Sequence, residues 1–253
     1  MNDYFCDLHI HSCASPCADD DMTPANIIGM ASLNGLQIVA LTDHNTSKNC
    51  PAFFAQAKKK GIIPIPGMEL TTAEDIHVVC LFRCLEDAMD FDVYVEKKRL
   101  RIPNKPEIFG NQYLINMNDE VCGEIPDLLI NAADITIEDA FDEVKSRGGV
   151  AYPAHIDRQS NGMIATLGTF PSDPPFTAYE LNSASSYDAY REKYPIMDSL
   201  VRTVSSDAHN LWNIAEANFR IRLDDNPYSS SLVRNRLIDY LLGENSTGGL
   251  SHG

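Results

Sequence analysis

The chain has 253 residues, seven cysteines and a formal net charge of −16. That length suffices for one large barrel or two small domains with a buried core. The acidity argues against a surface that grips long nucleic acid, which needs many Lys and Arg.

No apolar run approaches the ~18 residues that span a bilayer. MNDYFCDLHIH at the start has no basic segment followed by an apolar one, so no signal peptide is expected and the default location is the cytoplasm. An odd number of irregularly spaced cysteines is not a disulfide framework. The Cys13–Cys17 and Cys80–Cys84 spacings could bind metal, but buried free thiols are common in reducing compartments. Lys58, Lys59 and Lys60 form a run of basic residues, read as an exposed helix end. Bound metal ions can still build a positive pocket inside an acidic protein, which suits a small anionic ligand.

Strand-like and helix-like segments alternate along the chain. Residues 4–9 form a predicted strand ending in DLHIH. A helix follows at 24–33, with Thr23 as N-cap and Pro24 in its first position. LQIVAL at 36–41 is an apolar run of the buried parallel type. Residues 51–60 read as a helix stopped by Gly61, 62–65 as a strand running into GMEL, and 76–82 (IHVVCLF) as the next strand. A helix is expected around 86–99.

From 103 to 133 the rhythm breaks: Pro103, Pro106 and Pro126 surround the run YLINM and an Asn118-Asp119 turn. This stretch, about 100–135, is read as an inserted hairpin or cap. Alternation resumes with a helix at 137–146 capped by Thr136, with Asp139 three residues on. Strands are expected at 149–153, 178–181 and 201–204, and a last helix at 232–242. The small-residue tail 246–253 is expected to be disordered, leaving 1–245 as a single domain. This βα rhythm favours a parallel sheet or barrel.

Six of the seven histidines fall at or just past the C-terminal ends of predicted strands: His9, His11, His44, His77, His155 and His209. In α/β barrels those ends converge on one rim, so the six are expected to meet in space. Asp7, Asp43, Glu69 and Asp207 accompany them. A lone buried histidine is more often a hydrogen-bonded core residue than a ligand. Six at one rim beside carboxylates suit Zn, Mn, Fe or Co rather than Ca. A catalytic zinc needs about three protein ligands, so the set is rich enough for two or three ions.

DLHIHS, LTDHN, PGMEL, PAHID and SSDAH, in this order, resemble the polymerase and histidinol phosphatase (PHP) family of metal-dependent phosphoesterases. The resemblance covers about 1–85 and 136–215. It implies an α/β fold, a distorted (β/α)7 barrel, with a site for two or three divalent Mn, Zn or Fe ions. It also implies roles for single residues. His9, His11, Glu69 and Asp207 would hold the first ion. Glu69 would bridge to a second, shared with His77 and His155. His44 and His209 would hold a third with an acid after the first motif, Asp19, for which Asp20 or Asp21 could substitute. Glu69, Asp207 and His209 would be the catalytic ligands. Direct hydrolysis would use water activated between the first two ions.

Asp7 and Asp43 are assigned orienting roles beside the ligands. Arg158 could clamp a substrate phosphate, or simply pair with a surface acid. Ser205 and Ser206 are read as turn residues. The Ser12–Ser15 segment lacks an activating base for a nucleophile. The expected substrate is a small phosphate ester, a nucleotide or metabolite phosphate. A short-oligonucleotide exonuclease is one alternative. An amidohydrolase cleaving C–N bonds is another, although no Lys stands at a predicted strand end to bridge two metals. A non-catalytic metal-binding module is the third, disfavoured because every histidine position is filled.

Overall fold

The structure is a computed structural model that describes residues 1–244. The expected tail at 246–253, with His252, lies outside the described residues. β1 (Asn2–Asp7) leads through a long loop to α1 (Pro24–Leu33), where the Thr23 side chain accepts the Asn26 N–H. β2 (Ile38–Leu41) precedes α2 (Cys50–Lys60), which ends where Gly61 takes a left-handed φ of 71°. β3 (Ile63–Thr71) is nine residues long and buried throughout, so GMEL lies inside the strand. β4 (His77–Leu81) and α3 (Leu85–Lys98) follow. The 103–133 stretch holds the short helix α4 (Pro106–Phe109) and a hairpin of β5 (Tyr113–Ile115) and β6 (Val121–Glu124). Its turn places Asp119 at a φ of 69°.

α5 (Ile137–Ser146) starts on Thr136, whose hydroxyl accepts the Asp139 N–H at 3.1 Å. The rest of the chain runs through β7 (Val150–Pro153), α6 (Met163–Leu167), β8 (Ala178–Leu181), α7 (Tyr187–Lys193) and β9 (Val201–Val204). It ends with β10 (Arg220–Leu223) and α8 (Ser230–Leu241). β10, α6 and α7 have no counterpart in the sequence reading, because segments this short carry too few residues to establish a period.

The strand order is β10-β1-β2-β3-β4-β7, with β8 and β9 as a separate parallel pair. β1, β2 and β3 are parallel, as the alternation predicts. β4 departs from the pattern, pairing antiparallel with both β3 and β7. Parallel bridges from Ile10 to Ala208 and from His44 to Glu69 extend the sheet past its strand ends and curl it into a barrel wall.

The reversal of β4 corrects one expectation. His77 is the first residue of its strand, not the end of one. It still reaches the active rim, because Thr71 pairs with His77 across the hairpin and an antiparallel strand starts where its neighbour finishes.

Side-chain alternation on β4 divides the core. Val78 and Cys80 pack with Phe82, Phe91 and Ala140 beneath α3 and α5. Val79 and Leu81 pack with Tyr4, Ile65, Tyr152 and Leu237 on the opposite face. A third cluster of Ile27, Val39, Leu41 and Phe53 seats α1 and α2. All seven cysteines are free, and Cys6, Cys13, Cys50 and Cys80 are buried. Among the described residues no helix is long and apolar enough to cross a membrane.

Candidate active site

The parallel strands β1, β2 and β3, the reversed β4 and the loops after β7 and β9 bring the motif residues to one rim. Glu69, 1% exposed, lies at its centre. One of its oxygens, Oε1, is 2.8 Å from His77 Nδ1, 3.1 Å from His155 Nε2 and 3.3 Å from His9 Nε2. The other, Oε2, is 3.0 Å from His44 Nδ1 and 3.3 Å from His11 Nε2. A single buried carboxylate thus faces five imidazoles. Asp207 closes the far side, with Oδ1 3.1 Å from His11 Nε2 and 3.4 Å from His9 Nε2. His209 stacks on His11 with ring centroids 4.1 Å apart.

Three groups have the spacing of a metal site, each with ligand atoms within 4.8 Å of one another: His9/His11/Glu69/Asp207, His44/Glu69/His77 and His11/His44/His209. The first is the set expected from the sequence. In the second His44 stands where His155 was expected, although His155 touches both Glu69 and His77, the latter at 3.3 Å. Asp19 belongs to none of these groups. With Asp20 and Asp21 it lines a shallow cleft facing Gly110 and Asn111.

The donor set fits divalent cations. Glu69 Oε2, Asp207 Oδ1 and His44 Nδ1 are buried without a hydrogen-bond partner, which costs stability unless something else satisfies them. The electrostatics agree. Burial alone would raise the Glu69 carboxyl, but His77, His9 and His44 hold it well below the usual range. Burial likewise opposes ionisation of Asp207, and His9 and His11 outweigh it. Burial disfavours the charged form of His11, yet the neighbouring Asp207 and Glu69 carboxylates lift it to about 9. His44 is lifted to about 9 against burial and the His11 charge, chiefly by Glu69. His209 is driven down to about 3 by burial and by His11, which keeps its imidazole neutral.

The supporting residues lie further out. Asp43 accepts the Ser12 N–H at 2.7 Å and the hydroxyls of Ser12 and Ser15 at 2.6 and 2.8 Å. Ser15 Oγ in turn lies 3.0 Å from His11 Nδ1. Asp7 accepts the N–H groups of Ser206 and Ala215 at 3.0 and 3.1 Å, anchoring both ends of the loop that carries Asp207 and His209. Asp157 accepts the N–H groups of Asn182 and Ser183 at 2.8 and 3.1 Å. The Ser206 hydroxyl accepts the Ala208 N–H at 3.2 Å within the turn. His155 and Asp207 sit at left-handed φ values of 27° and 50°, a costly conformation for these residues that recurs at active sites.

Glu180 was missed from sequence. It is 1% exposed in β8, and its Oε1 is 2.8 Å from His9 Nδ1 while also accepting the His155 N–H at 3.2 Å. That contact turns His9 Nε2 towards the cluster, the usual carboxylate–histidine arrangement of metal sites. The available signal was an acid within the apolar run AYEL. Arg158 donates from Nη1 to Asp207 Oδ2, and its side chain remains 44% exposed at the mouth of the site.

A buried imidazole–carboxylate cage thus stands at one rim of a curled α/β sheet, with the spacing of a metal centre. The PHP domain family model matches residues 7–149, and the chain belongs to that family. PHP phosphoesterases are metal-dependent, and the His/Glu/Asp cluster here could bind such metals. An error-prone DNA polymerase from Symbiobacterium thermophilum is 38% identical over 77 residues, which is 30% of this chain and 7% of the polymerase. A 5'-3' exoribonuclease from Haemophilus influenzae is 36% identical over 78 residues, 30% of this chain and 27% of the exoribonuclease. The aligned stretch is thus a small part of each relative. The lesion-specific endonuclease PfuEndoQ from Pyrococcus furiosus superposes with a TM-score of 0.66 at 19% identity, covering 97% of this chain and 57% of the endonuclease. That likeness supports the barrel fold.

Proposed function

We propose that the rim holds two or three divalent ions of the Mn, Zn or Fe kind and that the enzyme hydrolyses a small phosphate ester. His9, His11, Glu69 and Asp207 would hold the first ion. Glu69 would bridge to the second, with His77 and His155 and with His44 at its edge. His44 and His209 would face a third. The observation that carries this reading is Glu69, buried and faced by five imidazoles, with one oxygen left without a hydrogen bond.

When bound, such ions lower the pKa of water and neutralise phosphate charge. The chain itself supplies position. Arg158 already holds one oxygen of Asp207, and its exposed remainder can engage a phosphate oxygen beside the cluster. A cavity of about 380 Å³ begins at Gln159, the next residue, and is lined by Ile164, Tyr190, Lys193 and Tyr194. Its size suits the alcohol portion of a small ester, and Lys193 favours an anionic one. The 103–133 insertion would serve as the opposite wall, since the Tyr113 N–H donates to Cys13 O at 2.7 Å beside the first-motif loop.

A nucleic-acid substrate is the second reading, favoured by similarity to an endonuclease across 97% of this chain and to an exoribonuclease over 78 residues. The net charge of −16 weighs against a long polyanion. A turnover screen of manganese-loaded protein separates the two. Phosphomonoesters, nucleoside bisphosphates and short oligonucleotides would be compared with a duplex carrying an abasic site. The small-ester reading expects the highest kcat/KM on the first group and weak salt dependence. A preference for the duplex that falls steeply with salt would replace it.

A further inference from the structure

Asn49 stands at the start of α2 but does not cap it. Its backbone is already helical, at φ −88° and ψ −6°, and its side chain makes no bond to the helix. The buried amide is used elsewhere. Oδ1 accepts the Ile115 N–H at 2.9 Å, and Nδ2 donates to Tyr113 O at 3.0 Å. A planar amide thus serves β5 as a neighbouring strand would. The same Nδ2 donates to Ser12 Oγ at 3.0 Å.

From Ser12 the bonds continue inward to the cage. The Ser12 hydroxyl donates to Asp43 Oδ2 at 2.6 Å, and Asp43 Oδ1 accepts the Ser15 hydroxyl at 2.8 Å. Ser15 Oγ also accepts the His44 N–H at 3.1 Å and lies 3.0 Å from His11 Nδ1. Its one proton goes to Asp43, so His11 must donate from Nδ1. That directs His11 Nε2 to Asp207 Oδ1 at 3.1 Å and Glu69 Oε2 at 3.3 Å, the side on which a metal would sit. Asn49, Ser12, Asp43 and Ser15 are each 1% exposed or less, so no bulk water replaces a missing bond.

Other contacts press the insertion onto the same loops. A Cβ on Gly110, at a φ of 95°, would fall 2.0 Å from Pro16 O, so only glycine permits this approach. Asn45, next to His44, donates to Leu129 O at 2.6 Å and Asn131 O at 2.9 Å at the far end of the insertion.

We infer that Asn49 is a positioning residue for the metal centre: by tying the 103–133 insertion to Ser12, it holds Asp43 and Ser15 where they fix the His11 tautomer and the His44 backbone. This role rests on the metal-cluster reading above and goes beyond the wall assigned to the insertion there. The insertion then acts on metal binding without supplying a ligand.

Titration of the full chain with manganese, the free ion read by electron paramagnetic resonance, gives affinity and ions per chain without turnover. Asn49→Ala should weaken manganese binding about tenfold, the lower end of the effect of losing a contact behind a metal ligand. Ser12→Ala leaves the bonds from Asn49 to β5 in place and should weaken binding as much. The double variant should lose no more, since both changes cut one path. Gln56→Ala is the comparison for a purely structural tie. Gln56 likewise reaches from α2 to the insertion, donating to Met117 O at 3.0 Å, and its other bond is to Lys59. Its loss should lower the Tm of the metal-free protein and leave manganese affinity unchanged. Wild-type affinity in Asn49→Ala or Ser12→Ala would overturn the positioning role and leave the cluster standing. An equal loss in Gln56→Ala would also overturn it, by making the effect one of insertion stability. If Asn49→Ala does not fold, Ser12→Ala decides. A wild type that binds no manganese would overturn the cluster reading and the role of Asn49 together.

Discussion

The two sides of the metal cage are built differently. Glu69 sits within a regular strand whose nine residues are all buried, and His77 opens the strand hydrogen-bonded beside it. Their positions follow from strand register, the stiffest element of the fold. His155 and Asp207 instead occupy left-handed backbone conformations after β7 and β9. That side is held by distant carboxylates: Asp7 across the Asp207 loop, and Glu180 on both His9 and the His155 backbone. A register-held ligand needs no local support, whereas a turn-held ligand depends on each polar contact that fixes its loop. Substitutions on the first side should therefore remove chemistry, and those on the second should loosen metal.

The largest effect is expected at Glu69. Glu69→Gln should lower kcat about 1,000-fold, equivalent to about 4 kcal/mol in the barrier, since in the proposed arrangement it would remove a charge shared by two ions. Steady-state kinetics with metal in excess would check it, and near wild-type turnover would break the bridging assignment.

On the turn-held side, Glu180→Gln should weaken metal binding by about 10–100-fold, as loss of a carboxylate behind a histidine ligand does. Much of the activity should return at high metal concentration, which the Glu69 variant should not show. Competition with a chelator provides the measurement. Asp7→Asn should behave similarly, with a loss of about tenfold, because one amide oxygen can still accept from Ser206 or Ala215.

Proton competition sharpens the comparison further. His11 and His44 are raised to about 9 in the metal-free protein, above an ordinary value of about 6.5. For such groups the stabilisation is fully present below the unfolded pKa and is lost as pH rises through the folded one. Metal-free protein should thus have a lower urea midpoint at pH ~9.5 than at pH ~6.5, a comparison bracketing the two values. Metal affinity should rise over the same interval with release of protons, which calorimetry in buffers of different ionisation enthalpy would detect. A flat urea midpoint would remove the cage histidines as the source.

The smallest effect is expected at Arg158, whose exposed guanidinium lies outside the cage. Arg158→Ala should raise KM about tenfold through loss of a phosphate contact, with a minor change in kcat. A large loss of bound metal in this variant would instead show that Arg158 serves mainly to hold Asp207.

Glu69, Asp207 and the cage histidines other than His77 were legible because each stands in a short motif following an apolar run, and barrel topology sends such ends to one rim. The third-ion acid was not legible. SPCADDD offers three carboxylates to a count along the chain, while the path of that loop is set by Ser15, Gly110 and the His209 carbonyl, all distant from it in sequence or fixed by contacts. Glu180 was hidden for a related reason: an acid within AYEL becomes meaningful only when β8 is laid beside His9, 171 residues away. The reversal of β4 escaped as well, since IHVVCLF has the same apolar pattern in either direction. Periodicity and local motifs record which face a residue takes and where a strand ends. Strand direction, loop path and the partner of a buried charge are long-range properties, settled only when the sheet curls and the remaining polar groups find their acceptors.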